Sequence, residues 1–193
     1  MPSYSRMQLE NWLKTIDVYA QRVLDVGGSQ LPINKRVNAF FVEEYKVLDL
    51  EKPHEMVKPV DYVMDINRKI PRELKDQLWN QFEIVFCIEV MEYIHNPYQA
   101  IQNINRFLKR GGILYISFHF VYPMHNPAHE DCLRYTRFGC MRLLEKNGFE
   151  IIHLVPRLTE AGSINALYLT EQMKAAKNIN HEETGYLIKA KKK

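Results

Sequence analysis

Short, continuous apolar runs recur along the chain and alternate with segments of helical periodicity. The runs are "RVLDV" (22–26), "KVLDL" (46–50), "DYVMDI" (61–66), "EIVFCIEV" (83–90), "GILYISFHF" (112–120), "FEIIHLVP" (149–156) and "GYLIKAK" (185–191). Apolar runs of this length are typical of strands buried on both faces of a sheet. Because helical segments separate them, the pattern predicts a three-layer α/β domain with right-handed crossovers.

Helical periodicity marks the segments between these runs. Leu9, Trp12, Leu13, Ile16 and Tyr19 recur at spacings of three and four, which predicts an amphipathic helix within residues 1–21. A second pattern, over residues 162–180, predicts a helical insertion before the last strand.

Two further helices carry start and stop signals. One has Asn96 as its cap, Pro97 in its first turn and Gly111 as its stop. The other, over 136–148, has Thr136 as its cap and Gly148 as its stop. The whole of 1–193 therefore fits one domain, in line with its length.

Composition narrows the class of protein. The chain has 46% hydrophobic and 25% charged residues, which is ordinary for a globular protein. Its net charge of +3 depends partly on the terminal "KAKKK", so it is weak evidence for a nucleic-acid partner. No apolar run approaches the roughly 20 residues that span a bilayer. The three cysteines form no CxxC pair, and with no signal-peptide pattern the sequence predicts a reduced, cytoplasmic protein.

Acidic residues stand at the ends of three successive predicted strands. Asp25 is followed by Gly27 and Gly28, which let the backbone turn beneath a ligand without a Cβ in the way. Asp49 lies 24 residues later, where a carboxylate can accept the hydroxyls of a ribose, and Asp65 could accept an amino hydrogen of adenine. Ligands of open α/β sheets bind at the carboxyl ends of the strands, so this constellation predicts a nucleoside-containing ligand.

With these motifs the chain resembles the class I S-adenosylmethionine-dependent methyltransferases, in particular their type 11-like small-molecule group. "VLDVGG", "VLDL" and "DYVMDI" match the first three motifs, and "FEIVFCIEVMEYIHNPYQAIQNINRFLKRGGILYIS" matches the block that follows. The resemblance covers roughly residues 20–155. It implies a Rossmann-like fold, with a mostly parallel seven-stranded sheet and an antiparallel last strand, and S-adenosyl-L-methionine as the cofactor.

The first motif departs from the family pattern of alternate glycines. Ser29 and Leu31 stand at the places of the later glycines, and Pro32 follows. A proline there predicts that the first crossover helix is short or displaced. "MEY" replaces the common Leu-Glu-His, and Glu83 stands where Asp is usual.

The resemblance assigns roles residue by residue. The implied cofactor-binding residues are Asp25, Gly27, Gly28, Asp49, Leu50, Asp65, Ile66, Cys87 and Ile88, the last two mostly through their backbone. "YPMH" and "DCLRYT" match a loop that overhangs the methyl group in related enzymes, which implies an acceptor pocket formed by Tyr122, Asp131, Arg134 and Tyr135. The alternative is that Asp131 and Arg134 pair only to brace the loop.

Histidines are concentrated in the same loop. If the acceptor is a hydroxyl, His125 or His119 could act as the general base. His119, His125, His129, Glu130 and Asp131 are also competent metal ligands, but their spacing matches no compact zinc motif, so no metal is predicted. Glu89 could be an acid of the pocket, whereas Glu92 is interpreted as structural.

The sequence thus predicts methyl transfer to a small-molecule acceptor, such as a sugar or another metabolite, by direct in-line displacement. A non-catalytic module that binds S-adenosylmethionine is the alternative. A nucleic-acid methyltransferase is disfavoured because the chain has no Asn/Asp-Pro-Pro-Tyr/Phe tetrapeptide and no dense basic stripe. No membrane partner is expected, and the sequence leaves open whether the protein forms a homo-oligomer.

Overall fold

The computed structural model describes residues 3–53, 58–159 and 183–193. The strands are β1 (Asp17–Val26), β2 (Ala39–Asp49), β3 (Tyr62–Val63), β4 (Phe82–Cys87), β5 (Leu108–His119), β6 (Phe149–Leu158) and β7 (Glu183–Lys192). The helices are α1 (Tyr4–Leu13), α2 (Arg72–Leu78), α3 (Pro97–Phe107) and α4 (Arg137–Lys146). The predicted helical insertion at 162–180 lies outside the described residues.

The strands form one sheet in the order β3-β2-β1-β4-β5-β7-β6. β7 runs antiparallel to both β5 and β6, and the other pairings are parallel. The predicted Rossmann-like sheet with an antiparallel last strand is therefore confirmed. Between β1 and β4 the strand order reverses, and this switch point is where open α/β sheets bind ligands.

Apolar residues fill both faces of the sheet, as the continuous strand patterns predicted. On one face, Ile101 and Ile104 of α3 and Leu144 of α4 belong to the same buried cluster as Leu24 and Val85. On the other face, Leu9 and Leu13 of α1 pack with Val23, Phe86 and Tyr115. One cluster lies on each face of the sheet, between the sheet and the helices that cover it. The domain therefore has three layers, with the sheet in the middle. None of the helices in the described part of the chain is long and apolar enough to cross a membrane.

The predicted starts of α3 and α4 are confirmed, because the predicted capping residue makes its hydrogen bond in each. Asn96 Oδ1 accepts the Gln99 N–H at the start of α3, and Thr136 Oγ1 accepts the Gly139 N–H at the start of α4. Gly148 has φ +84°, the left-handed conformation expected after α4. However, α3 ends at Phe107 rather than near Gly111, because Leu108 already pairs with Phe82 of β4.

Two other segments differ from the sequence pattern. α1 ends at Leu13, and Tyr19, which fits helical spacing, lies in β1 paired with Phe41. In residues 27–38, all of which the structure describes, the connection from β1 to β2 forms only a 3₁₀ turn at Ile33–Lys35. Pro32 precedes this turn directly, so the prediction of a short or displaced first crossover helix is confirmed.

Candidate cofactor and acceptor site

A cavity of about 870 Å³ opens at the carboxyl ends of β1, β2 and β4. Its size suits a small-molecule ligand. Of the residues predicted for cofactor binding, those that line the cavity are Gly27, Asp49, Leu50, Asp65 and Ile66. Of the residues predicted for the acceptor end, Tyr122 and His125 line it. The structure therefore places both predicted regions around one cavity.

The glycine pair turns the chain sharply after β1. Gly27 has φ +74°, and a Cβ there would lie 2.4 Å from Val90 Cγ2. A Cβ on Gly28 would lie 2.2 Å from the carboxyl carbon of Asp25. A Cβ at either position would force the neighbouring side chain to shift, and the positive φ favours glycine at Gly27 as well. Gly27 lines the cavity, whereas Gly28 packs on Asp25 behind it.

Asp25 does not line the cavity and instead organises the loop after β1. Its Oδ2 accepts the Ile33 N–H at 2.9 Å and the Tyr45 hydroxyl hydrogen at 2.5 Å. The residue is 3% exposed and is not among the residues that line the cavity. Burial raises the pKa of Asp25 to about 6, although the bonds from Tyr45 and Ile33 oppose this rise. Its predicted contact with the cofactor stays a prediction.

Asp49 lies at the end of β2 with its carboxylate held by the neighbouring loop. Oδ2 accepts the Ser29 hydroxyl hydrogen at 2.5 Å and lies 3.3 Å from the Ser29 backbone nitrogen, which also donates to it. Oδ1 accepts the Leu50 N–H at 2.8 Å. A carboxylate has about four acceptor positions and three are used, so Asp49 keeps one position, on Oδ1, for a hydroxyl in the cavity.

Asp65 follows β3 and also lines the cavity. Its Oδ1 accepts both the backbone and the side-chain N–H of Asn67, at 2.9 and 2.8 Å. Asn67 Oδ1 in turn accepts the Asn96 N–H at the start of α3. This chain of bonds fixes the floor of the cavity between β3 and α3.

Cys87 and Ile88 stand at the end of β4 and are buried. Neither residue lines the cavity, and their predicted contact with the cofactor, mostly through the backbone, stays a prediction. Burial raises the pKa of the Cys87 thiol above its ordinary value, so this cysteine is kept as the neutral thiol.

The loop after β5 covers the other end of the cavity. Asp131 pairs with the Arg134 guanidinium, and its Oδ2 also accepts the His125 backbone N–H at 2.6 Å. Arg134 further donates to the carbonyl oxygens of Tyr122 and Pro123. Asp131 and Arg134 thus brace the segment that carries Tyr122 and His125, and neither lines the cavity. Their predicted contact with an acceptor remains untested.

Tyr135 anchors the end of this loop in the core. Its hydroxyl donates to the Met91 carbonyl at 3.0 Å, and its ring packs edge-on against Phe118. The residue is buried and does not line the cavity. Its position fits a role in holding the loop, so the predicted acceptor contact of Tyr135 rests on the resemblance alone.

Four titratable side chains meet at the inner end of the acceptor loop. We call Glu89, Glu92, His119 and His125 the carboxylate–imidazole cluster, in which one ligand atom from each lies within 4.8 Å of all the others. His119 Nε2 lies 3.2 Å from Glu89 Oε2 and 3.3 Å from Glu92 Oε1. His125 Nδ1 lies 2.9 Å from Glu92 Oε1. Of the two predicted bases, His125 lines the cavity, whereas His119 is 1% exposed and lies behind it.

Electrostatic interactions in the cluster favour ionised carboxylates on Glu89 and Glu92 and a protonated imidazole on His119. Burial alone would raise the carboxyl pKa values, but the His119 ring and, for Glu89, the Arg157 guanidinium hold the pKa values of Glu89 and Glu92 below their ordinary range. Burial likewise opposes a charge on His119, but the two carboxylates outweigh it and raise the pKa of His119 to about 9.

Sequence reasoning missed three residues that shape this site. Ser29 and Tyr45 fix Asp49 and Asp25, and Arg157 Nη1 donates to Glu89 Oε1 at 2.8 Å. A signal existed only for Ser29, which stands at the place of a motif glycine. Tyr45 and Arg157 lie 20 and 68 positions from their carboxylate partners, and no local pattern marks such pairs.

Comparisons with known proteins agree with this geometry. Residues 41–116 match the family model described as "Methyltransferase domain". The ubiquinone biosynthesis O-methyltransferase of Dechloromonas aromatica (strain RCB) is 33% identical over 117 residues, 55% of this chain and 48% of that protein. The chain therefore spans about half the length of this curated relative.

Solved structures show the same fold. An S-adenosylmethionine-dependent methyltransferase from Mesorhizobium loti superposes with a TM-score of 0.61 at 14% identity, covering 97% of this chain and 98% of that one. The N-methyltransferase NodS from Bradyrhizobium japonicum WM9 gives a TM-score of 0.60 at 13% identity, with 98% and 96% covered. The family model, the curated relative and the fold agree, and together they support a class I S-adenosylmethionine-dependent methyltransferase with S-adenosyl-L-methionine as its cofactor.

Proposed function

We propose that the protein transfers the methyl group of S-adenosylmethionine to a hydroxyl oxygen of a small-molecule acceptor by direct in-line displacement. The observation that carries this proposal is a single cavity that joins the strand-end residues Gly27, Asp49 and Asp65 to Tyr122 and His125. A hydroxyl acceptor is favoured over a nitrogen or carbon acceptor by the histidine at the acceptor end. The O-methyltransferase name of the curated relative points the same way.

The cofactor end of the cavity fits an adenosyl group. Gly27 has no Cβ, so the chain can turn after β1 close to the Val90 side chain. The backbone at the end of β1 is thereby left open to a ligand. Asp49 is held by Ser29 and Leu50 with acceptor capacity left for a ribose, and Asp65 lies farther along the same floor. We assign one ribose hydroxyl to Asp49 and the adenine amino group to Asp65.

The remaining chemistry is positioning and proton transfer. When bound, S-adenosylmethionine supplies a methyl group on a sulfonium, which is already an activated donor. The chain must align the acceptor and exclude water, which is catalysis by orientation. Tyr122 and His125 are held for that task by Asp131 and Arg134.

His125 is the better placed of the two candidate bases. With Nδ1 donating its hydrogen to Glu92 Oε1 at 2.9 Å, the lone pair of Nε2 is free to accept the proton of an acceptor hydroxyl. His119 is enclosed and stacks against the Tyr122 ring, with 4.5 Å between centroids. We therefore assign His119 to positioning and His125 to proton transfer.

The experiment has two stages on one protein preparation. Calorimetric titration with S-adenosylhomocysteine should give a dissociation constant in the micromolar range. Transfer of a labelled methyl group is then screened over hydroxylated aromatic compounds, sugars and other metabolites. With the acceptor found, His125→Ala should lower kcat at least tenfold while cofactor affinity stays within twofold, because general-base catalysis contributes about 10²–10⁴.

His153→Ala is the matched control, because this histidine is exposed on β6 away from the cavity. It should turn over like the wild type. Absence of cofactor binding by folded protein would overturn the proposed function. Binding without transfer to any acceptor would favour a non-catalytic cofactor-binding module instead.

A further inference from the structure

The carboxylate–imidazole cluster is assembled from parts of the chain that are distant in sequence. Glu89 and Glu92 follow β4, His119 ends β5, and His125 comes from the loop after β5. Glu89 takes a left-handed backbone conformation, with φ +59°, which costs a non-glycine residue free energy. The fold therefore brings two carboxylates and two imidazoles together at a point that no local sequence motif specifies.

Three separations within the cluster are close to those of neighbouring ligands around one cation, and all four ligand atoms lie within 4.8 Å of one another. His119 Nε2 lies 3.2 Å from Glu89 Oε2 and 3.3 Å from Glu92 Oε1, and His125 Nδ1 lies 2.9 Å from the same Glu92 atom. Metal–ligand bonds of about 2.1 Å place neighbouring ligand atoms ~3.0–3.4 Å apart. Binding of a cation would therefore draw the more widely separated pairs of side chains closer together.

Several polar atoms of the cluster are buried without a hydrogen-bond partner. Glu92 and His119 are 0% and 1% exposed, yet Glu92 Oε2 and both ring nitrogens of His119 make no aligned hydrogen bond to any described residue. His119 Nε2 is close to two carboxylates but poorly directed at either. Buried polar groups are nearly always satisfied, so this arrangement points to a missing partner.

The charge of the surroundings fits a divalent cation. Arg157 is fully buried and neutralises one of the two carboxylates through Glu89 Oε1. Ser117 donates its hydroxyl hydrogen to the same oxygen, at 2.9 Å. Glu89 Oε2 is thereby left facing His119, and one negative charge remains when both imidazoles are neutral ligands.

We propose that Glu89, Glu92, His119 and His125 bind one divalent first-row transition-metal ion through two oxygens and two nitrogens. Two imidazoles select a transition ion such as Zn²⁺ or Co²⁺ over Mg²⁺, which prefers oxygen ligands and water. Glu89 and His125 line the cavity, so an open coordination position can face the acceptor.

This inference rests on the proposed function for its chemical role, although not for binding of the ion. A cation at the cluster gives an acceptor oxygen a Lewis-acid partner. His125 is then a ligand through Nδ1, so the ion and the imidazole are alternative means of activating the same hydroxyl.

The test is metal binding by tag-free protein stripped with a chelator. Calorimetric titration with Zn²⁺ should show one site per chain, and Co²⁺ should give the visible absorption of a four- or five-coordinate nitrogen–oxygen complex. Glu92→Gln, which keeps the shape of the side chain, and His125→Ala should each lower Zn²⁺ affinity at least tenfold, as loss of a ligand requires. The exposed His153→Ala is the control and should bind like the wild type.

Each result is decisive. No stoichiometric Zn²⁺ or Co²⁺ binding by folded wild-type protein overturns the metal site, and unchanged affinity in both variants overturns its location. Titration of S-adenosylhomocysteine on the same stripped sample separates the two proposals. If that ligand binds and the metal ions do not, the cluster is a proton-transfer and positioning network, and the proposed function stands without a metal.

Discussion

Ser29 donates its hydroxyl hydrogen to Asp49 across 2.5 Å, and this bond ties the loop after β1 to the end of β2. Ser29 stands where the family's first motif has a glycine, and it is fully buried. The serine that departs from the motif therefore makes a hydrogen bond that a glycine could not make. The chain replaces a flexible backbone position with a side chain that fixes the proposed ribose-binding carboxylate.

Replacing Asp49 with alanine should weaken binding of S-adenosylhomocysteine about 10- to 150-fold. A hydrogen bond from a neutral group to a charged acceptor contributes about 1.5–3 kcal/mol, and the ribose offers such donors. Isothermal titration calorimetry measures the change. Ser29→Ala separates the two roles of Asp49, because it removes the loop bond and keeps the carboxylate. It should cost less than tenfold, and equal losses in the two variants would mean that Asp49 acts only through the loop.

Asp25 makes stability depend on pH in an unusual direction. Its pKa is about 6 in the fold, above the ordinary 3.8, because burial disfavours the carboxylate. The folded state thus holds the proton more tightly than the unfolded state does. The contribution of Asp25 to stability is therefore greatest below pH 4 and falls by about 3 kcal/mol as pH rises through 6.

Asp25→Asn should remove this decline, because an amide oxygen can still accept from Ile33 and Tyr45 but cannot ionise. Urea unfolding from pH 4 to 7 measures the free energy of unfolding of both proteins. The wild type should lose stability relative to the variant as pH rises. Tyr45→Phe removes a bond that favours the carboxylate, so it should move the decline to higher pH. A constant difference across this range would show that Asp25 ionises normally in the fold.

Sequence patterns predicted the sheet well because its central strands are apolar on both faces. The same patterns did not predict the first residues of β1 and β2. There, buried and exposed positions are mixed, and β1 does not pair with β4 before Val23. Tyr19 shows the cause, since its spacing from Ile16 fits a helix, yet its backbone pairs with Phe41. Pairing between distant segments decides such residues, and periodicity does not record it.

The residues of the candidate site also fall into two groups, those that a local motif marks and those that only pairing between distant segments brings together. Gly27, Asp49 and Asp65 could be found because strand ends and glycine turns are local features that a motif records. The carboxylate–imidazole cluster could not be found, because His119 and Glu89 meet only after β4 and β5 are aligned. Asp25 fits the motif, but its orientation depends on Tyr45, which lies on another strand.

Arg134 should matter for the acceptor rather than for the cofactor. Its guanidinium group pairs with Asp131 and donates to the carbonyl oxygens of Tyr122 and Pro123. These bonds hold the loop that carries His125. Arg134→Ala should lower kcat/KM for the acceptor at least tenfold and leave cofactor affinity within twofold.

Arg134→Lys should restore little of this loss, because an ammonium cannot reproduce the planar fork. Arg142→Ala, an exposed change on α4, is the control and should have no effect. Steady-state kinetics and calorimetry on the same preparations give both quantities. Full activity of Arg134→Ala would mean that the loop keeps its shape without the pair.

Gly27→Ala tests the turn beneath the proposed cofactor site. The backbone there has φ +74°, and the new methyl would lie 2.4 Å from Val90 Cγ2. The left-handed conformation costs an alanine about 1–2 kcal/mol, and the collision adds to it. The variant should unfold at lower urea concentration and bind S-adenosylhomocysteine more weakly, since both residues line the cavity.

The double variant Gly27→Ala/Val90→Ala isolates the collision. Removing Cγ2 relieves the contact but leaves the conformational cost, so the double variant should lose less stability than the sum of the two single variants. A coupling of about 0.5–3 kcal/mol is expected for residues in direct contact. Urea unfolding of the four proteins in the cycle measures it. Strict additivity would show that Val90 can move aside, and that Gly27 is required by its backbone conformation alone.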